Sequence, residues 1–166
     1  MQVVSEAQLR EFCMADYDAA LGLWQRAGAG VPVRPSDDPD GIRLKLTRDP
    51  DLFLVACAGE EIVGTVMGGW DGRRAYPYHL AVHPEHRRQG VAARLLEAVE
   101  DRMRARGALK VKCQVFTDNA AALAFFRARG YEVEAGLHSV CKELVPGGAP
   151  AVGASAEPQA DESRPG

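Results

Sequence analysis

The sequence contains no apolar run that approaches the length of a membrane span. Its N-terminus lacks the basic-then-apolar pattern of an export signal. Cys13, Cys57, Cys113 and Cys141 are scattered, with no Cys-x-x-Cys pair among them, so metal and redox chemistry have little support. There is no surplus of positive charge either. The formal net charge of −3 disfavours bulk binding of nucleic acid. These absences lead us to expect a cytoplasmic protein with no metal, membrane or nucleic-acid partner. Its cysteines are expected to serve as small buried apolar residues in a reducing compartment.

The chain has 166 residues, enough for one domain with a real core and a tail. From Pro146 onward it is rich in Ala, Gly, Pro and Ser with few large apolar residues, the composition of a disordered tail. That tail carries Glu157, Asp161 and Glu162 against Arg164, a net of −2 that leaves only −1 for the rest. The globular part is thus nearly neutral, with arginines gathered at 73–74, 87–88 and 102–106. A local basic patch of this kind suits a polyphosphate. The expected organisation is a loose N-terminus over 1–7, one domain over 8–145 and a disordered tail over 146–166.

Along the chain, Leu9 to Phe12 reads as a first strand, and Asp16 as the cap of a helix reaching about Ala27. Gly28 to Pro39 is loop, followed by a second helix from about Asp40 to Arg48. Leu52 to Ala58 and Ile62 to Gly68, joined by Gly59-Glu60, form a hairpin pattern. Arg74 to Val82 is the next strand, whose alternation puts Tyr76, Tyr78, Leu80 and Val82 on one face and His79 on the other. Pro77 lacks a ladder donor and predicts a bulge or a local loss of pairing. A helix from Val91 ends at Gly107, a strand runs from Leu109 to Phe116, and a short helix from Asn119 closes at Gly130. Tyr131 to Leu144 holds one or two final strands.

The most informative segment is Arg87-Arg88-Gln89-Gly90-Val91-Ala92, lying between a strand and a helix. A Gly-centred turn that opens a helix leaves several backbone N–H groups without intrahelical partners. With the positive end of the helix dipole, they make an anion site fit for a pyrophosphate. Gly90 lets the ligand approach the backbone, and Ala92 keeps the first turn narrow.

Read with its surroundings, this segment resembles the GNAT superfamily of acetyl-CoA-dependent N-acetyltransferases. Residues 80–96 resemble that family's motif A and residues 119–131 its motif B. Phe53 to Ala56 and Val63 to Gly72 look like the small bacterial YpeA-type members, and the likeness runs from about Leu9 to Leu144. The resemblance implies an α+β fold in α/β/α layers. It has a mostly antiparallel sheet of six to seven strands, splayed between the fourth and fifth, with about four flanking helices.

It also implies a set of sites. Leu80, Ala81 and Val82 belong to the strand beside the pantetheine arm, with Leu80 and Val82 pairing their backbones with it. Arg87, Arg88, Gln89, Gly90, Val91 and Ala92 hold the pyrophosphate. Asn119, Ala122 and Phe126 fall on one face of the motif B helix, with Asn119 and Phe126 toward acetyl-CoA and Phe125 toward the core. Transfer goes directly to a primary amine of a small metabolite or a peptide N-terminus, through a tetrahedral intermediate.

The usual acid and base are not in their usual places. Phe126 stands where many relatives have a tyrosine, and Tyr76 and Gln114 where many have a glutamate. The thiolate can leave unassisted, Tyr78 (with Tyr76 behind it) can act through water in either direction, or catalysis has been lost. The alternative to an enzyme is therefore an inactive acetyl-CoA-binding module, a sensor or partner protein. Arg34 and Trp70 are the candidate acceptor-binding residues, Arg34 for a carboxylate. Trp24, at helical spacing, is a core candidate. Many relatives pair, so a homodimer is among the expected assemblies.

Overall fold

A computed structural model describes residues 6–145. The expected disordered tail over 146–166 and most of the expected loose N-terminus lie outside the described residues. Ala7 is buried in the core.

Four strands form an antiparallel sheet in sequence order: β1 (Gln8–Glu11), β2 (Phe53–Ala58), β3 (Glu61–Trp70) and β4 (Ala75–Val82). Helices α1 (Tyr17–Ala27) and α2 (Pro39–Arg48) cover one face. The other is covered by α3 (Val91–Ala105), and α4 (Ala120–Arg127) follows it in sequence. This is the α+β architecture with four helices that the sequence implied.

The α3 face is aliphatic. Val91, Leu95, Val99 and Met103 recur every four residues along α3 and are buried, with Leu96 beside them. They rest directly on the backbone of β3. A Cβ on Gly64 would come within 2.9 Å of Leu95 Cδ1, and one on Gly68 within 2.7 Å of Val99 Cγ2. Those two glycines let the helix sit close to the sheet. The helix ends at Gly107 (φ +99°), where the N–H groups of Gly107 and Ala108 bond the carbonyls of Arg104 and Met103. That paired ending satisfies two orphan carbonyls. Gly130 closes α4 in the same way, through Gly130 N–H to Arg127 and Tyr131 N–H to Phe126.

The opposite face holds Phe12, Leu23, Trp24, Ile42, Phe53, Val55 and Met67. Trp24 is core, as its spacing predicted.

Five expectations need correction. First, four strands are assigned among the described residues, not six or seven. The 109–116 segment touches β4 at a single parallel bridge, Ala75 with Val111, supported by Lys112 N–H to the Ala75 carbonyl at 3.0 Å. That bridge is the one assigned between them among the described residues, so the outer ladder is not formed. The 131–144 stretch is interrupted by Gly136 at φ +78° in a run of Glu, Ala and Gly, residues that favour strands poorly.

Second, the bulge in β4 lies after Pro77. Pro77 pairs with Gly68, whereas three steps of β4 (Tyr78 to Ala81) oppose two of β3 (Thr65 to Met67). Third, this extra residue inverts the alternation, so Tyr76 and Tyr78 do not share a face with Leu80 and Val82. Tyr78 looks toward α2, and Leu80 and Val82 pack with α3. Fourth, Asp16 stands at the N-cap position of α1 but its side chain makes no capping bond to the helix. Its carboxylate accepts Cys13 N–H at 2.9 Å and grips both guanidinium nitrogens of Arg10 at 2.7 and 2.8 Å. Fifth, only Cys57 of the four cysteines is buried, and Cys13 and Cys141 are exposed.

Candidate active site

Gly90 is the residue from which α3 begins, held at φ +79°, and Arg88 before it also has a positive φ of 62°. The loop is braced from within. Arg87 Nε donates to the Val82 carbonyl at 3.3 Å, and Gln89 Nε2 to the Glu85 carbonyl at 3.0 Å. Among the described residues, none of the backbone N–H groups from Arg88 to Ala93 has an acceptor. A Cβ on Gly90 would meet nothing within 4 Å, so the space before these donors is open. The donors, the dipole and two exposed arginines fit a pyrophosphate-bearing co-substrate.

This loop continues directly from the free edge of β4. Leu80, Val82, Val91, Ala92 and Phe126 border a single aliphatic cluster, so the two motifs named from sequence converge on one edge of the core. Ala81 turns the other way, toward the α1 side. Asn119 uses its side-chain oxygen to cap α4, accepting Ala122 N–H at 3.0 Å, which leaves its NH2 group for other partners. Gly30 lies close against that NH2, since a Cβ there would come within 2.9 Å of Nδ2. The loop expected on the acceptor side thus abuts the start of the motif B helix. Phe126 packs edge-on to Tyr131 and to Phe125, at centroid distances of 5.0 and 5.3 Å. Phe125 borders the same cluster and carries the Arg129 guanidinium over its ring at 3.9 Å.

On the other face of β4 lies a cavity of about 400 Å³ between α2 and the strand. Asp37, Ile42, Lys45, Arg48, Met67 and Tyr78 line it, with Ser36, Gly41 and Leu44 at its border. Tyr78 is 40% exposed. Its phenol is nonetheless pushed up to about 12, by burial first and then by the carboxylates of Asp49 and Asp37. It is therefore protonated throughout the neutral range and can donate a proton, not accept one. Tyr76 is exposed to a similar degree. Gln114 is exposed and donates to Ser139 Oγ at 2.8 Å.

Two further groups stand here, of which only the first, the Lys45–Asp49 pair, was not singled out from sequence. Lys45 is nearly buried, with Nζ 2.7 Å from Asp49 Oδ2, a further bond to the Gly68 carbonyl, and the Tyr78 ring 5.8 Å away. Burial lowers its pKa, partly countered by Asp49. Asp49 is 4% exposed on its side chain. Burial raises its pKa, but Lys45 and Arg106 outweigh that and hold it below the usual carboxylate range. The i, i+4 spacing of Lys45 and Asp49 reads in sequence as a solvated helix pair, which conceals their burial.

The second group is His79. Its Nε2 is 2.9 Å from Asp37 Oδ2, and its ring stands edge-on to Trp24 at 4.8 Å. It is packed and hydrogen-bonded, and it lies on the same side as Tyr78, not on the opposite face that the alternation predicted. Asp37 is itself fixed: Oδ2 accepts Arg34 N–H at 2.7 Å, and its carbonyl accepts the Tyr17 hydroxyl at 2.9 Å.

The candidate acceptor residues are not brought together. The Arg34 side chain is exposed and makes no ion pair among the described residues. Trp70 packs against the α3-side cluster and does not line the cavity. Among the described residues no group of three or more His, Cys, Asp or Glu side chains is placed to hold a metal ion.

Comparison with known proteins gives a consistent result. A family model described as the acetyltransferase (GNAT) family matches residues 20–131. An acetyltransferase of Sodalis glossinidius (strain morsitans) is 37% identical over 139 residues, covering 83% of this chain and 96% of the relative. An acetyltransferase of Pectobacterium atrosepticum is 42% identical over 126 residues, covering 75% of this chain and 87% of the relative. Among solved structures, the PaiA N-acetyltransferase of Thermoplasma acidophilum in complex with coenzyme A shares the fold. Its TM-score is 0.69 at 19% identity, covering 77% of this chain and 91% of that one.

Proposed function

The chain belongs to the GNAT family and is an N-acetyltransferase; on that premise we propose that it acetylates a primary amine of a small metabolite or of a peptide or protein N-terminus. The observation that carries this reading is the run of unbonded N–H groups from Arg88 to Ala93 beside the free edge of β4. Acetyl-CoA supplies the activated acetyl thioester. Arg87 to Ala92 hold its pyrophosphate, Leu80 to Val82 border its pantetheine arm, and the Asn119 NH2 group with Phe126 borders the same arm from α4. An extended chain laid along an unpaired strand edge finds donors and acceptors already spaced for it.

The amine enters from the opposite face, through the cavity between α2 and β4. Tyr78, protonated at neutral pH, is the proton donor of the site and Tyr76 its outer neighbour. Arg34, exposed in the loop that leads to Asp37, offers a guanidinium to an acceptor carboxylate, while Trp70 packs on the α3 side and takes no part there. Phe126 in place of a motif B tyrosine leaves Tyr78 as the phenol for this task.

The test is thiol release from acetyl-CoA across a panel of amines, amino acids and N-terminal peptides, with calorimetric acetyl-CoA binding alongside. Amine-dependent release is the expected result. Binding without turnover on any amine would favour the inactive, acetyl-CoA-binding alternative, and absence of binding would overturn the assignment of residues 87–92.

A further inference from the structure

We infer that His79, oriented by Asp37, is the base that takes the proton from the acceptor amine. This inference rests on the acetyl-transfer reading above.

The bulge makes the arrangement possible. A regular strand would place His79 opposite Tyr78, against α3. The extra residue in β4, with His79 at φ +50°, turns it instead to the acceptor side, beside Tyr78. A left-handed backbone at a non-glycine residue is unfavourable and persists only where its surroundings fix it. Here Trp24 Nε1 donates to Thr65 Oγ1 at 2.9 Å, and Thr65 Oγ1 donates to the His79 carbonyl at 3.1 Å. The conformation is held from α1 and β3 together.

The tautomer follows from the hydrogen bonds. Asp37 Oδ2 already accepts a backbone N–H, so it serves as an acceptor toward the ring as well, and Nε2 carries the hydrogen. Nδ1 then holds the lone pair. It has no protein partner among the described residues, yet no buried side-chain nitrogen or oxygen is left unpaired there, so Nδ1 is open to solvent. A carboxylate behind one nitrogen and an open lone pair on the other is the arrangement of an oriented imidazole base. Asp37 is at once the partner of His79 and a wall of the cavity that contains Tyr78.

The groups facing the ring are few. Asp37 comes from the segment before α2, Tyr78 from β4 itself and Trp24 from α1, while the Thr65 hydroxyl of β3 meets only the His79 carbonyl. Tyr17 approaches only the Asp37 carbonyl. Among the described residues, Asp37 supplies the one charged side chain bonded to the ring.

In the step itself, an N–H bond of the acceptor ammonium breaks and an Nδ1–H bond forms, directly or through one water. The freed lone pair forms the C–N bond at the thioester carbonyl. The C–S bond breaks, the thiolate takes the Tyr78 phenol proton, the phenolate takes the remaining surplus amine proton, and His79 returns its own to solvent.

The test is His79→Gln, whose side-chain NH2 can still donate to Asp37 but which has no base. Using the most rapidly acetylated amine of the panel, kcat/KM is expected to fall roughly a hundredfold or more, with loss of its acidic limb. Acetyl-CoA binding by calorimetry is expected to stay unchanged. Asp37→Asn, at a positioning residue, is expected to lower kcat while leaving the KM for the amine and acetyl-CoA binding unchanged. Retained turnover and an unmoved limb in His79→Gln would overturn the inference, while loss of acetyl-CoA binding by the wild-type protein would instead overturn the reading beneath it. Long-range 15N–1H NMR of the wild-type ring needs no acceptor and no variant. An Nε2-protonated neutral ring is expected, and an Nδ1-protonated ring would refute the base.

Discussion

The two faces of the sheet are made from the same four strands and are built on opposite principles. The face under α3 is dry and aliphatic, closed by van der Waals contact so tight that β3 has glycine where the helix crosses it. The face under α1 and α2 holds the buried polar groups Asp16, Asp37, Asp49 and Thr65, each tied to a named partner. Packing of the first kind gives rigidity and little chemistry. The second kind costs desolvation, which hydrogen bonds must offset, and it leaves ionisable groups beside a cavity. On the proposed reading, scaffold and acceptor chemistry are separated by the thickness of one sheet, and β4 borders both.

That separation can be broken from either side. The largest effect is expected at the point where α3 itself becomes functional. Gly90→Asp places a carboxylate and a side chain before the open N–H groups, and calorimetry should show acetyl-CoA affinity reduced about a hundredfold or more. An unchanged affinity would remove the anion site from this helix start. Next, Leu95→Ala deletes packing from the aliphatic face and should cost about 2–5 kcal/mol in denaturant unfolding. Turnover per folded molecule should persist below the unfolding transition. If turnover falls in step with stability lost, the faces are coupled after all.

A smaller effect is expected on the polar face. Tyr78→Phe removes a phenol that is protonated up to about pH 12. It should lower kcat roughly tenfold, evenly across pH 6–9, with little change in melting temperature. An even loss contrasts with the loss of a limb expected for His79→Gln, so the pair of profiles separates donor from acceptor.

The smallest effect concerns acid. Arg10 holds the Asp16 carboxyl down to about 2, first through their hydrogen bond. A depressed carboxylate stabilises the fold above its unfolded pKa and loses that contribution as pH falls from about 4 to about 2. Asp16→Asn should therefore cost on the order of 1 kcal/mol at neutral pH and flatten the acid limb of stability, measured by chemical unfolding at several pH values.

The helices and the first four strands were legible because their signals are local. Gly90, Gly107, Gly130 and Asn119 mark ends and beginnings, and the α3 stripe repeats without interruption. The Gly-centred loop that opens α3 was legible for the same reason. The acceptor side was not. Lys45 and Asp49 have the spacing of a surface pair, and only the approach of Arg106 from α3 and of the Gly68 carbonyl from β3 buries them. The outer strands failed on another ground. Their apolar residues predict extended chain, but a ladder needs a partner in register, and Gly136 breaks the run that would supply one.

His79 shows most clearly what a periodic reading misses, and its neighbourhood has one further consequence. Considered as a wave of period two, β4 undergoes a half-cycle phase slip at the bulge, so the residues before and after it carry opposite signs. Removing Leu80 would restore the phase and turn His79 against α3, while Tyr78, Ala81 and Val82 would keep the faces they have. A single inserted residue is the device that sets two consecutive side chains, Tyr78 and His79, on one face of the sheet.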